Sequence, residues 1–238
     1  MIISGPVCLI TCVGPAKGTA GELSRRFASG GYKVAMLARN EENLRELQND
    51  IKGSIAFPFD VSNIEELVDT ISQVKTRLGN PSGVIHNAAK SSRGSIFELD
   101  PEGLEGNFRV NTTALLYLAR ETIPAMLEAG KGAILVSGNT SATRGITNWG
   151  FLASTKAAQR ILLASLTREF GPRGIHTAYF IIDALIDTPR TRPILGAGRP
   201  DEFFAKASAI AEEMFRVAHQ DESTWCFTVG LRLFGEVW

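Results

Sequence analysis

Short runs of apolar residues alternate with longer, amphipathic segments along almost the whole chain. The apolar runs lack the regular in–out alternation of a strand that has one face in water, so they are typical of strands buried on both faces. Seven such strands are predicted, at residues 6–13, 33–38, 54–59, 83–89, 132–137, 175–182 and 225–231. Pro58 in the third run predicts a strand end or a sheet edge, because proline has no backbone N–H to donate.

Segments with helical periodicity separate these strands. In the first segment Leu23 and Phe27 lie four residues apart, which puts both on one face of a helix. The helices are predicted at residues 18–29, 42–50, 64–78, 101–129, 151–170 and 201–219. The alternation predicts an α/β fold, namely a doubly wound (Rossmann), mostly parallel seven-stranded sheet with helices on both faces.

Length, charge and cysteine usage narrow the function classes. The 238 residues suit one large domain, and 25 basic against 25 acidic residues argue against a nucleic-acid partner. No apolar run is long enough to span a bilayer, so no membrane partner is expected. The three cysteines have no metal-ligand spacing, which predicts no metal site and a reducing, cytoplasmic location.

A glycine-rich segment, GPAKGTA, follows the first predicted strand and leads directly into the first helix. Such a turn lets the backbone approach a pyrophosphate, whose charge meets the N–H groups of the helix N-terminus. The candidate cofactor-binding residues here are Gly14, Lys17, Gly18 and Thr19. Residues 1–238 are therefore expected to form a single dinucleotide-binding domain. The alternative is a tight turn that needs glycine for its geometry alone.

Two cations near this turn bear on which dinucleotide is bound. Lys17 lies inside the turn, and Arg39 follows the second strand, where an acidic residue would bind a free ribose 2′-hydroxyl. Arginine at that point favours a 2′-phosphate, so NADP(H) is predicted in preference to NAD(H). The alternative is that both are solvated surface charges. Asp60, after the third strand, is placed either to accept from an adenine amino group or to cap the helix at Ile64.

In order along the chain, six short motifs resemble those of the short-chain dehydrogenase/reductase (SDR) family, over essentially the full length. They are Gly14-x-x-x-Gly18-x-Ala20, Asp60-Val61, Asn87-Ala88-Ala89, Asn111 in RVNTTA, Lys156 after a Ser/Ala-rich stretch, and Asp187-Thr188-Pro189. The resemblance implies that the first three motifs hold the cofactor. It also implies that Lys156 bonds the nicotinamide ribose, that Thr188 contacts the nicotinamide carboxamide, and that Asn111 lies at a helix kink near a water relay.

The sequence departs from the family where the chemistry is expected. The family's active tetrad is an asparagine, a serine, a tyrosine and a lysine. Here the tyrosine position, four residues before Lys156, is Leu152, and the serine position is Asn139. A branch of the family with a similar SGNTSATRG segment looks as if it also lacks the tyrosine. The candidate catalytic residues are thus Asn111, Asn139 and Lys156, while Trp149 and Leu152 are expected to line an apolar substrate pocket.

Three functions are compatible with the missing tyrosine. In the first, an NADP(H)-dependent oxidoreductase transfers a hydride to a small carbonyl substrate and another group replaces the tyrosine as proton donor. The candidate donors are Ser137, Asn139, Thr140, Ser141 and, through a water molecule, Lys156. In the second, the enzyme acts on a C=C or C=N bond, where proton delivery differs. The third is a catalytically silent NADP(H)-binding protein that serves as a sensor or subunit.

Residues 188–219 are expected to form a loop and helix that cover the substrate. Three arginines of this segment, Arg190, Arg192 and Arg199, either attract an acidic or phosphorylated ligand or are solvated loop charges. A small molecule is the expected partner of the site.

The resemblance also implies self-association. Family members pair the helices predicted at 101–129 and 151–170 across a two-fold axis, so a homodimer or homotetramer is expected. Leu115, Leu118 and Leu166 are candidate contact residues, unless they face the sheet instead.

Overall fold

The computed structural model describes residues 5–195 and 198–235, and it confirms the predicted fold class. Seven parallel strands form one sheet. They are β1 (Val7–Thr11), β2 (Lys33–Ala38), β3 (Ser54–Pro58), β4 (Pro81–His86), β5 (Gly132–Asn139), β6 (Ile175–Asp183) and β9 (Thr228–Arg232), in the order β3-β2-β1-β4-β5-β6-β9. Two further strands, β7 (Leu185–Asp187) and β8 (Phe204–Lys206), pair with each other outside the sheet. The sequence prediction of a single domain over 1–238 includes residues 1–4, 196–197 and 236–238, which lie outside the described residues.

Helices cover both faces of the sheet. They are α1 (Thr19–Ser29), α2 (Glu41–Asp50), α3 (Ile64–Leu78), α4 (Glu102–Phe108), α5 (Ala114–Glu128), α6 (Gly150–Phe170), α7 (Thr191–Leu195) and α8 (Ala207–Ala218). Successive strand residues point to opposite faces, so Leu9 packs with α3, α5 and α6, whereas Ile10 packs with α1, α2 and α8. Each face therefore has its own buried apolar layer.

Some predicted boundaries were wrong for physical reasons. The helix predicted at 101–129 is interrupted by a π-helical turn at Arg109–Thr113, which separates α4 from α5. The last helix begins at Ala207 instead of residue 201, because residues Phe204–Lys206 pair with β7. Pro58 is the last residue of β3, which is an edge strand, so both expectations for it are confirmed.

The three leucines considered as contacts between subunits face the core. Leu115 and Leu118 are fully buried and Leu166 is 8 % exposed, and all three belong to the layer on the α3, α5 and α6 side. The sheet-facing alternative for these leucines is therefore confirmed. The apolar side chains that α5 and α6 expose are Leu116 and Ile161.

Candidate functional site

Most of the candidate site residues lie at one edge of the sheet, where the parallel strands end. This edge carries the loops that follow β1, β2, β3, β4, β5 and β6, because all these strands run in the same direction. In open α/β sheets such an edge is where ligands bind. Sequence positions as distant as Gly14 and Lys156 are thereby assigned to one region of the molecule.

The glycine-rich turn closes through a hydrogen bond from the Gly18 N–H to the Pro15 carbonyl, 2.8 Å long, and α1 begins at Thr19. Gly18 is the N-cap and offers no capping side chain, so the N–H groups of the first turn are left for an outside acceptor. A Cβ on Gly14 would meet nothing within 4 Å. The turn thus leaves open space beside the N-terminus of a helix.

The glycine that packing requires is Gly21, which the sequence analysis missed. A Cβ there would lie 2.4 Å from the Ala16 carbonyl oxygen, and that oxygen also accepts a 2.6 Å hydrogen bond from Arg25. Cys12 is a second unexpected residue in this segment, because its φ of 53° is one that glycine adopts more readily. Burial raises the pKa of the Cys12 thiol to about 11, so the group stays protonated at neutral pH.

The two predicted cations are both exposed, and no contact joins them in the described residues. Arg39 lies 3.8 Å from the Asp60 carboxylate, with its own side chain 79 % exposed. Asp60 accepts hydrogen bonds from the backbone and hydroxyl of Ser62, whereas the N-cap of α3 is Asn63, so the capping alternative for Asp60 was wrong. Partial burial raises the pKa of Asp60, but the Ser62 hydrogen bonds and the Arg39 charge outweigh it and the net shift is downward.

The residues after β4 are fixed by a chain of hydrogen bonds from β1. The backbone N–H of Asn87 donates to the Thr11 hydroxyl, which lies 3.2 Å from Nδ1 of His86. Burial lowers the pKa of His86 to about 3, so the ring is neutral. Its Nε2 lies 3.2 Å from the Val110 carbonyl, which connects β4 to the π-helical turn. His86 is therefore a structural residue here, and Asn87 accepts a 2.7 Å hydrogen bond from Ser137.

Asn111 lies in the π-helical turn and is completely buried. Its side chain accepts from the Lys90 N–H and donates to the Lys90 carbonyl and the Thr155 hydroxyl, each at 2.9 Å. These bonds hold the loop after β4 against α6. A π-helical turn contains one residue more than an α-helical turn. This shift rotates the Asn111 side chain toward the protein interior, whereas a regular helix would leave it on the solvent face.

Lys156 is 1 % exposed and no carboxylate pairs with it within the described part of the chain. Its ammonium group is 3.3 Å from the Ser137 carbonyl, 3.4 Å from the Ala88 carbonyl and 3.0 Å from Oε1 of Gln159. Burial lowers the pKa of Lys156 to about 8. The lysine is thus a cation near neutral pH that loses its proton readily.

Gln159 was missed by the sequence analysis. It is fully buried, its Oε1 accepts from Lys156 and from the Tyr179 hydroxyl, and its Nε2 donates to the Asn111 carbonyl. The available signal was its position one turn after Lys156 on the same helix face. Tyr179 packs beneath Gly138, where a Cβ would lie 2.2 Å from its ring. Burial raises the pKa of Tyr179, and Tyr179 does not line the adjacent cavity, so it does not replace the missing tyrosine.

A cavity of about 710 Å³ lies beside these residues. Asn139, Trp149 and Leu152 are among the residues that line it. Oδ1 of Asn139 accepts from the Ser141 N–H at 3.1 Å, which leaves the amide N–H groups of Asn139 for a ligand. Other lining residues are Thr140, Ser141, Ile146, Ile182, Asp183, Ala184, Leu185, Leu195, Pro200, Glu202, Phe203, Leu233, Phe234 and Gly235.

Thr188 and Arg192 stabilise the segment beside this cavity and do not line it. The Thr188 hydroxyl is 2.8 Å from that of Thr191, at the start of α7. Arg192 bonds Asp187 at 2.7 Å and Asp201 at 2.8 Å, so its charge is neutralised within the segment. The structure therefore does not bring Thr188 to the cavity wall with Asn139, and it gives Arg192 a structural role.

The sequence of this chain matches a known protein family over most of its length. The family model described as "Enoyl-(Acyl carrier protein) reductase" matches residues 14–222, most of the chain. The chain belongs to the SDR family. The solved SDR structures that resemble it share the fold at low sequence identity. An alcohol dehydrogenase of the archaeon Thermococcus sibiricus, complexed with 5-hydroxy-NADP, has a TM-score of 0.85 at 23% identity, covering 98% of this chain and 99% of the other.

Other relatives show how wide the SDR family is. L-sorbose reductase of Gluconobacter frateurii, in complex with NADPH and L-sorbose, covers all of both chains with a TM-score of 0.85 and 20% identity. A short chain dehydrogenase of Pseudocercospora fijiensis is 31% identical over 180 residues, which are 73% of this chain and 57% of that protein. The alignments thus span about three-fifths of the length of the first curated relatives.

None of the helices within 5–195 and 198–235 is long and apolar enough to cross a membrane. In the same ranges, no three histidine, cysteine, aspartate or glutamate side chains are grouped so that they could hold a metal ion.

Proposed function

We propose that the protein is an NADP(H)-dependent oxidoreductase that transfers a hydride to a small carbonyl or related unsaturated substrate. The observation that carries this proposal is the buried Lys156 ammonium, which pairs with no carboxylate of residues 5–195 and 198–235. It lies between the loop after β4 and the end of β5, close to a cavity lined by Asn139 and Leu152. A buried cation without a counter-ion suits a polyhydroxyl or anionic ligand that supplies the missing acceptors. Residues 1–238 are proposed to act as one dinucleotide-binding domain, with 188–219 covering the substrate.

The residues at the edge of the sheet where the parallel strands end, called the carboxyl edge below, fit a dinucleotide. The uncapped N-terminus of α1 and the open space at Gly14 would accept a pyrophosphate, with Gly18 and Thr19 beside it. Exposed Lys17 and Arg39 would bind a 2′-phosphate. The proposed contacts of the adenine, the nicotinamide ribose and the nicotinamide are Asp60, Val61, Asn87, Ala88, Ala89, Lys156 and Thr188. When bound, the nicotinamide supplies the hydride.

The protein's own contribution to a carbonyl reduction is orientation and a proton. The Asn139 amide would donate a hydrogen bond to the substrate oxygen in the cavity. Leu152 has no proton to give, and Ser137 donates its proton to Asn87. Thr140 and Ser141 line the cavity, but an aliphatic hydroxyl is a very weak acid. Lys156, whose pKa burial lowers to about 8, is therefore the proposed acid, acting through a water molecule because it does not itself line the cavity. Asn111 positions this lysine through Gln159.

A second candidate function is a catalytically silent NADP(H)-binding protein, a sensor or subunit. The observation that favours it is Leu152, which is 7 % exposed and fills the place of the proton donor with hydrocarbon. Loss of general acid catalysis alone costs about 10²–10⁴-fold in rate, so Leu152 does not exclude turnover.

The deciding experiment is a titration of the purified protein with NADPH and NADH, followed by a panel of carbonyl, enone and imine substrates. Saturable binding of NADPH, tighter than that of NADH, with substrate-dependent oxidation supports the oxidoreductase. Binding without oxidation across the panel supports the silent protein. If neither nucleotide binds at millimolar concentration, both candidates are wrong.

The proposal includes self-association and location. We expect a homodimer or homotetramer because α5 and α6 expose Leu116 and Ile161 on the helices that family members pair. The three cysteines are free thiols, as is common in a reducing compartment, which supports a cytoplasmic location.

A further inference from the structure

Among the residues that the structure describes, the charged groups in the wall of the cavity all have one sign. Much of the wall is apolar and includes Trp149, Phe203 and Phe234, and the charged side chains among the described lining residues are Asp183 and Glu202. Such a wall repels an anionic substrate. It suits an apolar molecule that is neutral or carries a positive charge.

Asp183 is the carboxylate best placed to act on a ligand. It is the last residue of β6, at the edge where the strands end, and it is half-buried, whereas Glu202 is exposed. Within the described residues its carboxylate makes no hydrogen bond and no ion pair. A half-buried charge is screened by salt much less than an exposed one, so Asp183 is expected to dominate the field in the cavity.

None of the cations near the cavity belongs to its described lining residues. Arg192 is neutralised by Asp187 and Asp201, as described above. Arg93 and Arg199 are exposed and stack on lining rings, 5.8 Å from the Trp149 centroid and 4.7 Å from that of Phe203. A cation over an aromatic face is attracted by the ring, so these aromatic side chains suit a cationic ligand as well. Arg232 on β9 is half-buried and in register with Asp183, on the same face of the sheet, and it is not one of the described lining residues.

The second feature is the hydrocarbon at Leu152. A ketone that takes up a hydride becomes an alkoxide and needs a proton, which no side chain at position 152 supplies. Reduction of an iminium ion needs no proton. Its carbon takes up the hydride, the C=N double bond becomes a single bond, and the product is a neutral amine. A bound reduced nicotinamide would supply that hydride and leave in its oxidised, cationic form, and the protein donates no proton in this step.

From these two features we infer that the substrates of this site are apolar iminium ions, held by Asp183 and the aromatic wall, with C=N reduction as the reaction. The inference rests on the proposed oxidoreductase function and names its substrate class. It accounts for both the acidic cavity and the loss of the tyrosine, since a cationic substrate needs a counter-ion and no acid.

The first test measures binding without any cofactor. The probe is 2-methyl-3,4-dihydroisoquinolinium, a permanently charged cyclic iminium, and its neutral counterpart is 1-tetralone, a ketone of similar size. By calorimetry we expect the wild type to bind the iminium at least tenfold more tightly than the ketone. Asp183→Asn should weaken iminium binding at least tenfold and change ketone binding less than twofold. Glu169→Gln, which removes an exposed carboxylate of α6 outside the cavity, is the control and should change neither.

The second test adds NADPH and compares reduction of the two probes. A higher kcat/KM for the iminium supports the inference. Ketone binding equal to or tighter than iminium binding in the wild type overturns it, and this comparison needs no variant to fold. Unchanged iminium binding in Asp183→Asn also overturns it. If NADPH binds and the ketone alone is reduced, the substrate inference fails and the proposed function stands. If NADPH does not bind, the proposed function fails and the inference fails with it.

Discussion

At the scale of single residues, Leu152 and Lys156 define the chemistry that the site can perform. They lie one turn apart on α6, yet Leu152 lines the cavity while the Lys156 ammonium is enclosed by carbonyl oxygens of the sheet edge. The Leu152 side chain therefore separates the Lys156 ammonium from the cavity. A hydroxyl at position 152 would therefore connect the lysine to the substrate.

Replacing Leu152 by tyrosine is expected to raise the kcat of ketone reduction by about 10²–10⁴-fold, because the phenol becomes a general acid whose pKa the neighbouring ammonium lowers. The measurement is steady-state oxidation of NADPH at pH 7. Leu152→Phe adds the ring without the hydroxyl and should remain at the wild-type rate. Equal gains in both variants would assign the effect to the bulk of the ring and contradict the prediction.

The titration of Lys156 predicts how stability depends on pH. Burial lowers its pKa from 10.5 to about 8, so between these values the unfolded chain binds more protons than the folded protein. Stability from this group therefore rises with pH across that window and is lowest below it. Relative to Lys156→Met, the free energy of unfolding of the wild type should increase by about 3 kcal/mol from pH 8 to pH 10.5, as measured by urea unfolding. A constant difference between the two proteins would contradict this.

At the scale of elements, the sequence predicted what local patterns determine. The seven main strands were found because each is an apolar run, and most boundaries hold within a few residues, as for β2 at Lys33–Ala38. The π-helical turn was not predictable because the groups that hold Asn111 inward belong to Lys90 and Thr155, remote in sequence. The pairing of β7 with β8 was missed for the same reason.

In the candidate site, too, the sequence predicted the residues that local motifs identify and missed those that depend on tertiary contacts. The lysine and asparagine positions followed from the family resemblance, and Asn139 lines the cavity together with Trp149. Gln159 was missed because a glutamine on a helix is usually solvated, and only the tertiary contacts show that it is buried between Lys156 and Asn111.

The glycine turn before α1 provides two variants with opposite expectations. Gly21→Ala should destabilise the protein by about 1–3 kcal/mol, because its Cβ would lie 2.4 Å from the Ala16 oxygen and the turn must shift. Gly14→Ala has open space around it, so it should leave stability unchanged but weaken NADPH binding by crowding the proposed pyrophosphate. Thermal unfolding and nucleotide titration of both variants separate the two effects. A loss of stability in Gly14→Ala would contradict this account of the turn.

The contact between α6 and the π-helical turn is predicted to depend on Gln159. Gln159→Leu leaves the Lys156 ammonium, the Tyr179 hydroxyl and the Asn111 carbonyl each without one partner, so a loss of about 1–3 kcal/mol or more in urea unfolding is expected. Gln73→Leu makes the same change at an exposed position of α3 and should stay within about 0.5 kcal/mol. Similar losses in both variants would mean that the buried bonds contribute little.

At the scale of the whole molecule, the sheet assigns different roles to its surfaces. The carboxyl edge carries the candidate site, whereas α5 and α6 lie on one face, with Leu115, Leu118 and Leu166 in the core and Leu116 and Ile161 exposed. Ile161 is thus available for the proposed packing of α6 against a second copy. The site and the proposed subunit contact thus share α6, which carries Lys156 on its buried side.

This shared helix leads to a prediction about assembly. Ile161 is 60 % exposed, and a glutamate there would place a charge between apolar helices of two subunits, so Ile161→Glu is expected to give a single species near the 25.7 kDa of one chain. Light scattering after size-exclusion chromatography measures this. Ile194→Glu is the control, because Ile194 is 71 % exposed on α7, away from those helices, and its variant should keep the mass of the wild type. A wild type that is itself monomeric, or dissociation in Ile194→Glu alone, would contradict the use of α6 as the contact.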